Sequence, residues 1–401
     1  MKNILVALSL FVGMFVHADE GMWFLMFLDR LNQRDMEKMG LQLTSEEIYS
    51  INNSSLKDAI VQFNGGCTAE LVSSQGLVLT NHHCGYSAIA ELSSPKNDYL
   101  TDGFWASNKE QEMKPNSLFV RFFVRMDDVS KRILNQLNNE MTEDERAKAI
   151  KEETKKIEEE NSENGKYVVS VRSFFQGNEY YYFVYQDYTD VRLVGTPPAS
   201  VGKFGGDTDN WVWPRHTCDF SVFRIYADEN NEPAEISDNN KPYQISNPLN
   251  IALNGVQEND FTMVFGFPGR TSQYLTSKAV ENYMNVINPA RIEMRKNSLR
   301  HIDAAMDLSE ETFIKYAAKQ SRISNAYKKW IGQDLGLRKK DAISKKLKLE
   351  EKWLNQNKEN ASLLEGIFEV EKQVKFKRDT LRKLKNQNHG VFKHFPELSA
   401  Q

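Results

Sequence analysis

The chain has few cysteines, no excess of positive charge and, after its first residues, no long apolar run. Its 401 residues carry a net charge of −4. The pI of about 6.1 argues against a general nucleic-acid binder. No segment after residue 18 has the roughly 18 uninterrupted apolar residues of a spanning helix, so we expect no membrane span in the mature chain. With 40% hydrophobic and 11% aromatic residues the chain can bury real cores, which excludes a disordered protein.

The first 18 residues are typical of a secretory signal. Lys2 supplies a positive start, Ile4–Val16 is an apolar stretch, and Ala18 ends a small-residue cleavage site. A membrane anchor is the weaker alternative because the apolar stretch is too short to cross a bilayer. We therefore expect export and a mature chain that begins at Asp19.

Short strand-like runs separated by turn residues dominate the region from about residue 60 to 270. Several such runs favour a closed β-barrel. The predicted strands are Thr68–Ser73, Leu77–Thr80, Tyr167–Phe175, Tyr180–Tyr185, Phe220–Tyr226 and Phe261–Phe267.

Two helical regions complete the expected α+β, multi-domain fold. A helical insertion near 130–165 contains the charged helix Met141–Glu163, whose Thr142 and Glu145 match a capping box. From about residue 277 the chain is rich in Lys, Glu, Leu and Ala and has helical periodicity. We expect one barrel domain over residues 19–275 and an α-helical domain over 276–401.

The segment Thr80-Asn81-His82-His83-Cys84, preceded by Gly65-Gly66-Cys67, resembles the histidine segment of chymotrypsin-type serine peptidases. There a His lies just before a Cys that is bonded to the preceding strand. Together with export, this resemblance implies a disulfide between Cys67 and Cys84 and leaves Cys218 alone. A metal site is less favoured, because residues adjacent in a strand, as His82 and His83 would be, point to opposite faces. We expect no metal and no cofactor.

Serine peptidase chemistry needs a hydroxyl, an imidazole base and a carboxylate that orients the base. Outside helical, signal and tail sequence, the histidines are His82, His83 and His216. A disulfide at Cys84 would hold the backbone beside His83, which favours His83 as the base. Asp219 opens an otherwise apolar strand, where an acid is costly unless it is paired. A plain strand-end aspartate remains the alternative for Asp219.

Several linked motifs are similar to those of the bacterial serine dipeptidyl-peptidases. The similarity runs from Asp19 to about Leu384. It implies a chymotrypsin-like double barrel with an inserted α-helical domain, and release of dipeptides from free peptide N-termini. The motifs are Asp-Glu-Gly-Met-Trp at 19–23, Gly-Gly-Cys-Thr-Ala-Glu at 65–70, Thr-Asn-His-His-Cys-Gly-Tyr at 80–86, Gly-Lys-Phe-Gly-Gly-Asp at 202–207, Asp-Asn-Trp-Val-Trp-Pro-Arg-His at 209–216 and Gly-Phe-Pro-Gly-Arg-Thr at 266–271.

The resemblance also implies residue roles. His83 would be the base and Asp219 its orienting acid. Asn210 and Trp211, with Asn325 from the helical domain, would hold the free α-ammonium of the peptide. Amide oxygens can accept hydrogen bonds from an ammonium, and an indole offers a wall or a cation–π face.

Two positions near these residues carry expectations about packing. Cys218 stands where the family usually has Gly, and we expect it to behave as a buried, small hydrophobic side chain. For Trp213 we favour ordinary packing over a substrate contact.

No Gly-Xaa-Ser-Gly occurs between residues 19 and 401. In the family, the nucleophilic serine and the side-chain pocket belong to the second barrel. We therefore expect an N-terminal fragment without the second barrel, inactive by itself, from an enzyme of the periplasm or cell surface of a Gram-negative bacterium. The sequence does not decide between a monomer and a homodimer.

Two alternatives belong to other functional classes. One is an exported, non-catalytic protein that binds peptides through the same amine pocket. The other is a redox or metal protein built on Cys67, Cys84 and Cys218.

Overall fold

The computed structural model describes residues 23–213, 216–269, 272 and 274–372. The predicted signal, residues 1–18, and the end of the predicted helical domain lie outside these residues. Among the described helices, none combines the length and the apolar character needed to cross a bilayer.

Ten strands form one sheet in which every pair of neighbours is antiparallel. The order is β4-β8-β9-β3-β2-β1-β5-β7-β6, with β10 beside β9. The strands are β1 (Ile60–Phe63), β2 (Cys67–Leu71), β3 (Leu77–Thr80), β4 (Phe104–Trp105), β5 (Val120–Asp128), β6 (Val168–Phe174), β7 (Glu179–Tyr188), β8 (Val191–Thr196), β9 (Ser221–Ala227) and β10 (Lys241–Pro242). In the described part of the chain β4 and β6 do not pair, so a closed barrel, single or double, stays a prediction.

Helices before residue 210 are mostly short; three of them precede β1, and the others lie between strands in the sequence. They are α1 (Leu28–Leu31), α2 (Gln33–Lys38), α3 (Ser45–Ile48), α4 (His82–Leu92), α5 (Tyr99–Asp102), α6 (Ser130–Leu134), α7 (Glu143–Asn161), α8 (Ala199–Gly202) and α9 (Gly206–Asp209). The charged helix α7 confirms the predicted one, and its capping box between Thr142 and Glu145 is present.

After residue 276 the described chain is helical, as predicted. The helices are α10 (Ser277–Asn282), α11 (Asn288–Met306), α12 (Glu310–Lys339) and α13 (Ala342–Gln356), with a π-helical turn at Tyr283–Ile287. Residues 361–372 are also helical.

The main core lies between the sheet and helices α4 and α12. Alternate residues of the strands enter it, as Phe63, Leu71 and Phe223 do with no more than 1% exposure. Ile89 contributes from α4 and Ala317 from α12, so both helices are anchored on the sheet.

Of the predicted strand runs, only the last is wrong. The segment Phe261–Phe267 forms no strand. Phe261, Met263 and Phe265 pack against the apolar cluster of α1–α3, while Val264 is exposed. The alternation correctly indicated a half-buried extended segment. A strand also needs a neighbouring strand for its backbone groups, and the described residues offer none here.

Candidate functional site

The hairpin of β2 and β3 leads directly into helix α4. Leu71 pairs with Val78 across the hairpin, and Thr80 donates its hydroxyl to the carbonyl of Thr68 at 2.8 Å. A disulfide joins Cys67 of β2 to Cys84 in the first turn of α4. The start of the helix is therefore fixed to the sheet at two places.

His82 and His83 begin a helix, and the expectation that they lie in a strand is wrong. Successive helical residues differ by about 100° around the axis, which still separates the two side chains. His82 is only 1% exposed and packs edge-to-face on Tyr86. The imidazole of His83 is 65% exposed. Of these two histidines, only His83 is accessible to a reacting group.

The structure brings His83 and Asp219 together. Nδ1 of His83 lies 2.8 Å from Oδ2 of Asp219, and the backbone N–H of His83 donates to Oδ1 at 3.0 Å. Both oxygens of the carboxylate therefore face one residue. Asn81 also donates from its amide nitrogen to the backbone carbonyl of Asp219 at 3.0 Å.

Strand pairing explains this meeting. Thr80 at the end of β3 lies opposite Ser221 at the start of β9. Residues just after Thr80 and just before Ser221 must therefore lie side by side. The hydroxyl of Ser221 donates to the carbonyl of Asn81 at 3.0 Å. A Cβ at Gly85 would lie 2.6 Å from Oγ of Ser221, so the close approach of α4 to β9 requires glycine.

The hydrogen bonds set the ionisation of Asp219. Burial acts to raise the pKa of Asp219, but the hydrogen bonds from the side chain and backbone of His83 outweigh it, and this pKa lies below its ordinary value. A carboxylate can only accept, so Nδ1 of His83 donates and Nε2 carries the lone pair in the neutral ring. Nε2 is thus the atom that can take a proton.

The predicted amine-site residues also lie together. Asn325 of α12 accepts two hydrogen bonds at its Oδ1, from Nδ2 of Asn210 at 2.9 Å and from Nε1 of Trp211 at 2.8 Å. Asn210 therefore keeps its own Oδ1 as an acceptor. Trp211, with φ of +63°, is 53% exposed. The three side chains form an open polar corner beside an indole face.

Asn210 and Trp211 of this corner lie with Asp219 on one connection between β8 and β9, and Asn325 reaches them from α12. Lys328 of α12 donates to the carbonyl of Thr208 at 3.1 Å. A Cβ at Gly332 would lie 3.3 Å from the carbonyl oxygen of Trp211. The sequence carries no signal for the roles of Lys328 and Gly332, because nothing in the local pattern of α12 shows what packs on it.

Two packing expectations near the site are wrong. Trp213 is 72% exposed instead of packed, and Cys218 is exposed instead of buried. Cys218 lies in the connection just before β9, and its backbone N–H donates to the carbonyl of Val201 at 3.2 Å. The backbone is thus held while the thiol faces outward.

Within the described ranges, one group of potential metal ligands stands out. Cys67, His83 and Cys84 each place a ligand atom within 4.8 Å of the others. Nε2 of His83 is 3.5 Å from Sγ of Cys84. Because the two sulfurs share a disulfide, the group offers only the imidazole as an unmodified donor in this state.

The chain is similar to known proteins along most of its length. The family Peptidase S46 matches residues 18–398. "Dipeptidyl-peptidase 7" of Capnocytophaga gingivalis is 57% identical over 81% of the chain and 46% of its own length. An "Asp/Glu-specific dipeptidyl-peptidase" of the same organism is 47% identical over 87% of the chain and 49% of its own length.

Solved structures give the same result. The crystal structure of Porphyromonas endodontalis DPP11 in complex with the dipeptide Arg-Asp has a TM-score of 0.81 and 36% identity. It covers 91% of this chain and 54% of that chain. The chain spans about half the length of the relatives it matches.

Proposed function

Because the chain belongs to the peptidase S46 family, we propose that it carries the base and the orienting acid of an exported serine dipeptidyl-peptidase. Such an enzyme hydrolyses peptides to release dipeptides from their free N-termini. The observation that carries the proposal is the pair formed by Nδ1 of His83 and Oδ2 of Asp219 at 2.8 Å. The relatives named as dipeptidyl-peptidases support the reaction class.

In the proposed mechanism, a hydroxyl nucleophile attacks the second peptide bond of the substrate. Nε2 of His83 takes the hydroxyl proton, and the ionised Asp219 stabilises the imidazolium that forms. The same imidazolium then protonates the leaving amine. A water molecule activated by His83 hydrolyses the acyl-enzyme and frees the dipeptide.

We place the nucleophile outside the described residues. No Gly-Xaa-Ser-Gly occurs between residues 19 and 401. In the described part of the chain, Nε2 of His83 lies 3.5 Å from Sγ of Cys84, which is a disulfide sulfur. A serine-directed phosphonate should therefore leave the 401-residue chain unlabelled, and labelling would reveal a nucleophile within it.

In this proposal, the amine corner limits the released product to two residues by holding the substrate's N-terminus. Asn210 offers its Oδ1 to a substrate α-ammonium, and Trp211 offers its indole face. Asn325 holds both side chains in place, because its Oδ1 accepts a hydrogen bond from each of them. A free N-terminus bound here would place the chain so that cleavage follows its second residue.

Binding to the 401-residue chain tests the amine corner without any nucleophile. A dipeptide with a free N-terminus should shift the indole N–H resonance of Trp211. Acetylation removes the charged donor, so it should weaken binding by roughly 10- to 100-fold. Asn325→Ala should cause a comparable loss, whereas Asn297→Ala, at a partly exposed position of α11, should not. Equal binding of acetylated peptides would contradict the proposed role.

Turnover tests the base. In a protein that contains the nucleophile, His83→Ala should lower kcat/KM by roughly 10³-fold or more and leave the unfolding temperature nearly unchanged. His82→Ala should lower the unfolding temperature and leave kcat/KM nearly unchanged, because it removes a buried side chain and leaves Nε2 of His83 in place. Equal losses of turnover would undo the assignment. Peptide binding without turnover in the complete protein would favour a non-catalytic peptide-binding function.

We also propose export to the periplasm or cell surface of a Gram-negative bacterium. The apolar stretch Ile4–Val16 and the cleavage site at Ala18 support this location. N-terminal sequencing of the mature protein should begin at Asp19; retention of Met1 would contradict it.

A further inference from the structure

Three side chains at the base are close enough to share one metal ion once the two sulfurs are no longer bonded to each other. The ligand atoms of Cys67, His83 and Cys84 lie within 4.8 Å of one another. With bonds of about 2.3 Å to sulfur and about 2.0 Å to nitrogen, a tetrahedral Zn²⁺ site separates S and N by about 3.5 Å. Sγ of Cys84 and Nε2 of His83 are already 3.5 Å apart.

The imidazole is also oriented as metal-binding histidines are. Such histidines donate their second ring N–H to a carboxylate or carbonyl, which fixes the tautomer and makes the ligating nitrogen more basic. Here Nδ1 of His83 faces Oδ2 of Asp219 at 2.8 Å. The imidazole is 65% exposed, which provides a path of entry for an ion.

The disulfide prevents metal binding at these three side chains. In the oxidised chain the sulfurs of Cys67 and Cys84 are bonded to each other and cannot act as thiolates. A dithiol reductant transfers two electrons and two protons to the disulfide, giving two cysteine thiols and the oxidised, cyclic form of the reductant. Each thiol loses its proton when it binds a metal ion.

We propose that reduction of the disulfide converts Cys67, Cys84 and His83 into a binding site for a divalent ion of the Zn²⁺ class. Water fills the fourth position. The ion joins β2 to the first turn of α4 and so replaces the cross-link that reduction removes. It also occupies Nε2 of His83. The resulting block of the base rests on the proposed function, whereas the binding itself does not.

Cobalt(II) is a suitable probe because thiolate ligands give it a charge-transfer absorption. The chain carries Cys218→Ser, which removes the exposed third thiol. One sample stays oxidised; the other is reduced with a dithiol and desalted under anaerobic conditions. The reduced chain should bind one Co²⁺ with the thiolate absorption, and Zn²⁺ should displace it. The oxidised chain should show no such absorption.

Variants identify the ligands. Cys67→Ser and His83→Gln should each weaken binding to the reduced chain by at least about tenfold. His216→Gln is the matched control, since its side chain is exposed and outside the group, and it should stay within twofold of the parent. Cobalt should also raise the unfolding temperature of the reduced chain, because only a folded site gains stability from binding.

Three results would overturn the proposal. The first is cobalt binding that does not depend on reduction. The second is a reduced chain whose binding is unaffected by Cys67→Ser or by His83→Gln. The third is a reduced chain that is unfolded and that cobalt does not restore. None of them bears on the proposed peptide cleavage, in which no step uses a metal ion, so failure here is distinct from failure of the proposed function.

Discussion

At the scale of single residues, two adjacent histidines have opposite environments. His82 is enclosed by Tyr86 and by Gly202, where an added Cβ would lie 2.6 Å from the imidazole. His83 faces solvent and Asp219. The cysteine beside His83 favours it as the base. The expected local structure, a strand, is wrong, because both histidines begin a helix. Whether a histidine points inward depends on what packs against it, and Gly202 is far along the chain.

Burial of His82 predicts a pH dependence of stability. Desolvation is the main cause that lowers the pKa of His82 to about 4, from an ordinary value of 6.5. The unfolded chain therefore binds the proton first as the pH falls. This contribution to stability is complete above pH 6.5 and is lost between pH 6.5 and about 4. From pH 7 to pH 5 the free energy of unfolding should fall by about 2 kcal/mol through this group.

Urea unfolding at pH 7 and pH 5 measures this loss. His82→Gln removes the titrating group and should flatten the change by about 2 kcal/mol. His216→Gln, at an exposed position, should keep the parent's pH dependence. If His82→Gln also keeps it, the buried imidazole does not govern acid sensitivity.

At the scale of elements, local signals predicted what depends on local residues. The capping box located helix α7, and the strand-like runs Thr68–Ser73 and Leu77–Thr80 located the neighbouring strands β2 and β3. The prediction of a strand at 261–267 is wrong, because a strand needs a neighbouring strand that can be distant in the sequence. The contact of Asn325 with Asn210 came only from family resemblance, since no periodicity relates α12 to the connection before β9.

Two glycines of helix α12 separate helix stability from the geometry of the amine corner. Both Gly332→Ala and Gly336→Ala should gain about 0.5–1 kcal/mol of helix propensity. At Gly336 nothing lies within 4 Å of an added Cβ. At Gly332 the new methyl would lie 3.3 Å from the carbonyl oxygen of Trp211. Gly332→Ala should therefore move Trp211 and weaken peptide binding by roughly tenfold, or about 1.4 kcal/mol.

Calorimetry with a free dipeptide and with its acetylated form compares the two variants. Gly336→Ala should bind like the parent and unfold at a higher temperature. If Gly332→Ala also binds like the parent, the close approach of α12 does not position Trp211.

At the scale of the whole molecule, the sheet and the long helix share one core. Ala317 of α12 is 2% exposed and belongs to the same cluster as Ile89 of α4 and Phe223 of β9. Further along the helix, Asn325 accepts hydrogen bonds from Asn210 and Trp211, and Lys328 donates one to Thr208, so α12 is also joined to the connection between β8 and β9. The helical region and the sheet should therefore unfold together in the described part of the chain.

Helix α7 provides the contrast. It packs on β6 and β7 through Ile157, in a cluster that does not include the main core, and its surface is highly charged. Its opening should expose little of the shared core. Native-state hydrogen exchange should therefore give α7 a lower opening free energy than α4, β9 and α12.

Hydrogen exchange read by mass spectrometry tests this ordering directly. Peptides from α4, β9 and the part of α12 around Ala317 should exchange through one common opening, with the same dependence on denaturant. Ala317→Leu should overfill the core and lower the opening free energy of all three by about 1–3 kcal/mol. It should leave α7 unchanged, since Ile157 lies in a separate cluster. If α12 opened well before the sheet, the amine corner would be lost while His83 and Asp219 stayed paired, and the shared core could not be what aligns the two parts of the site.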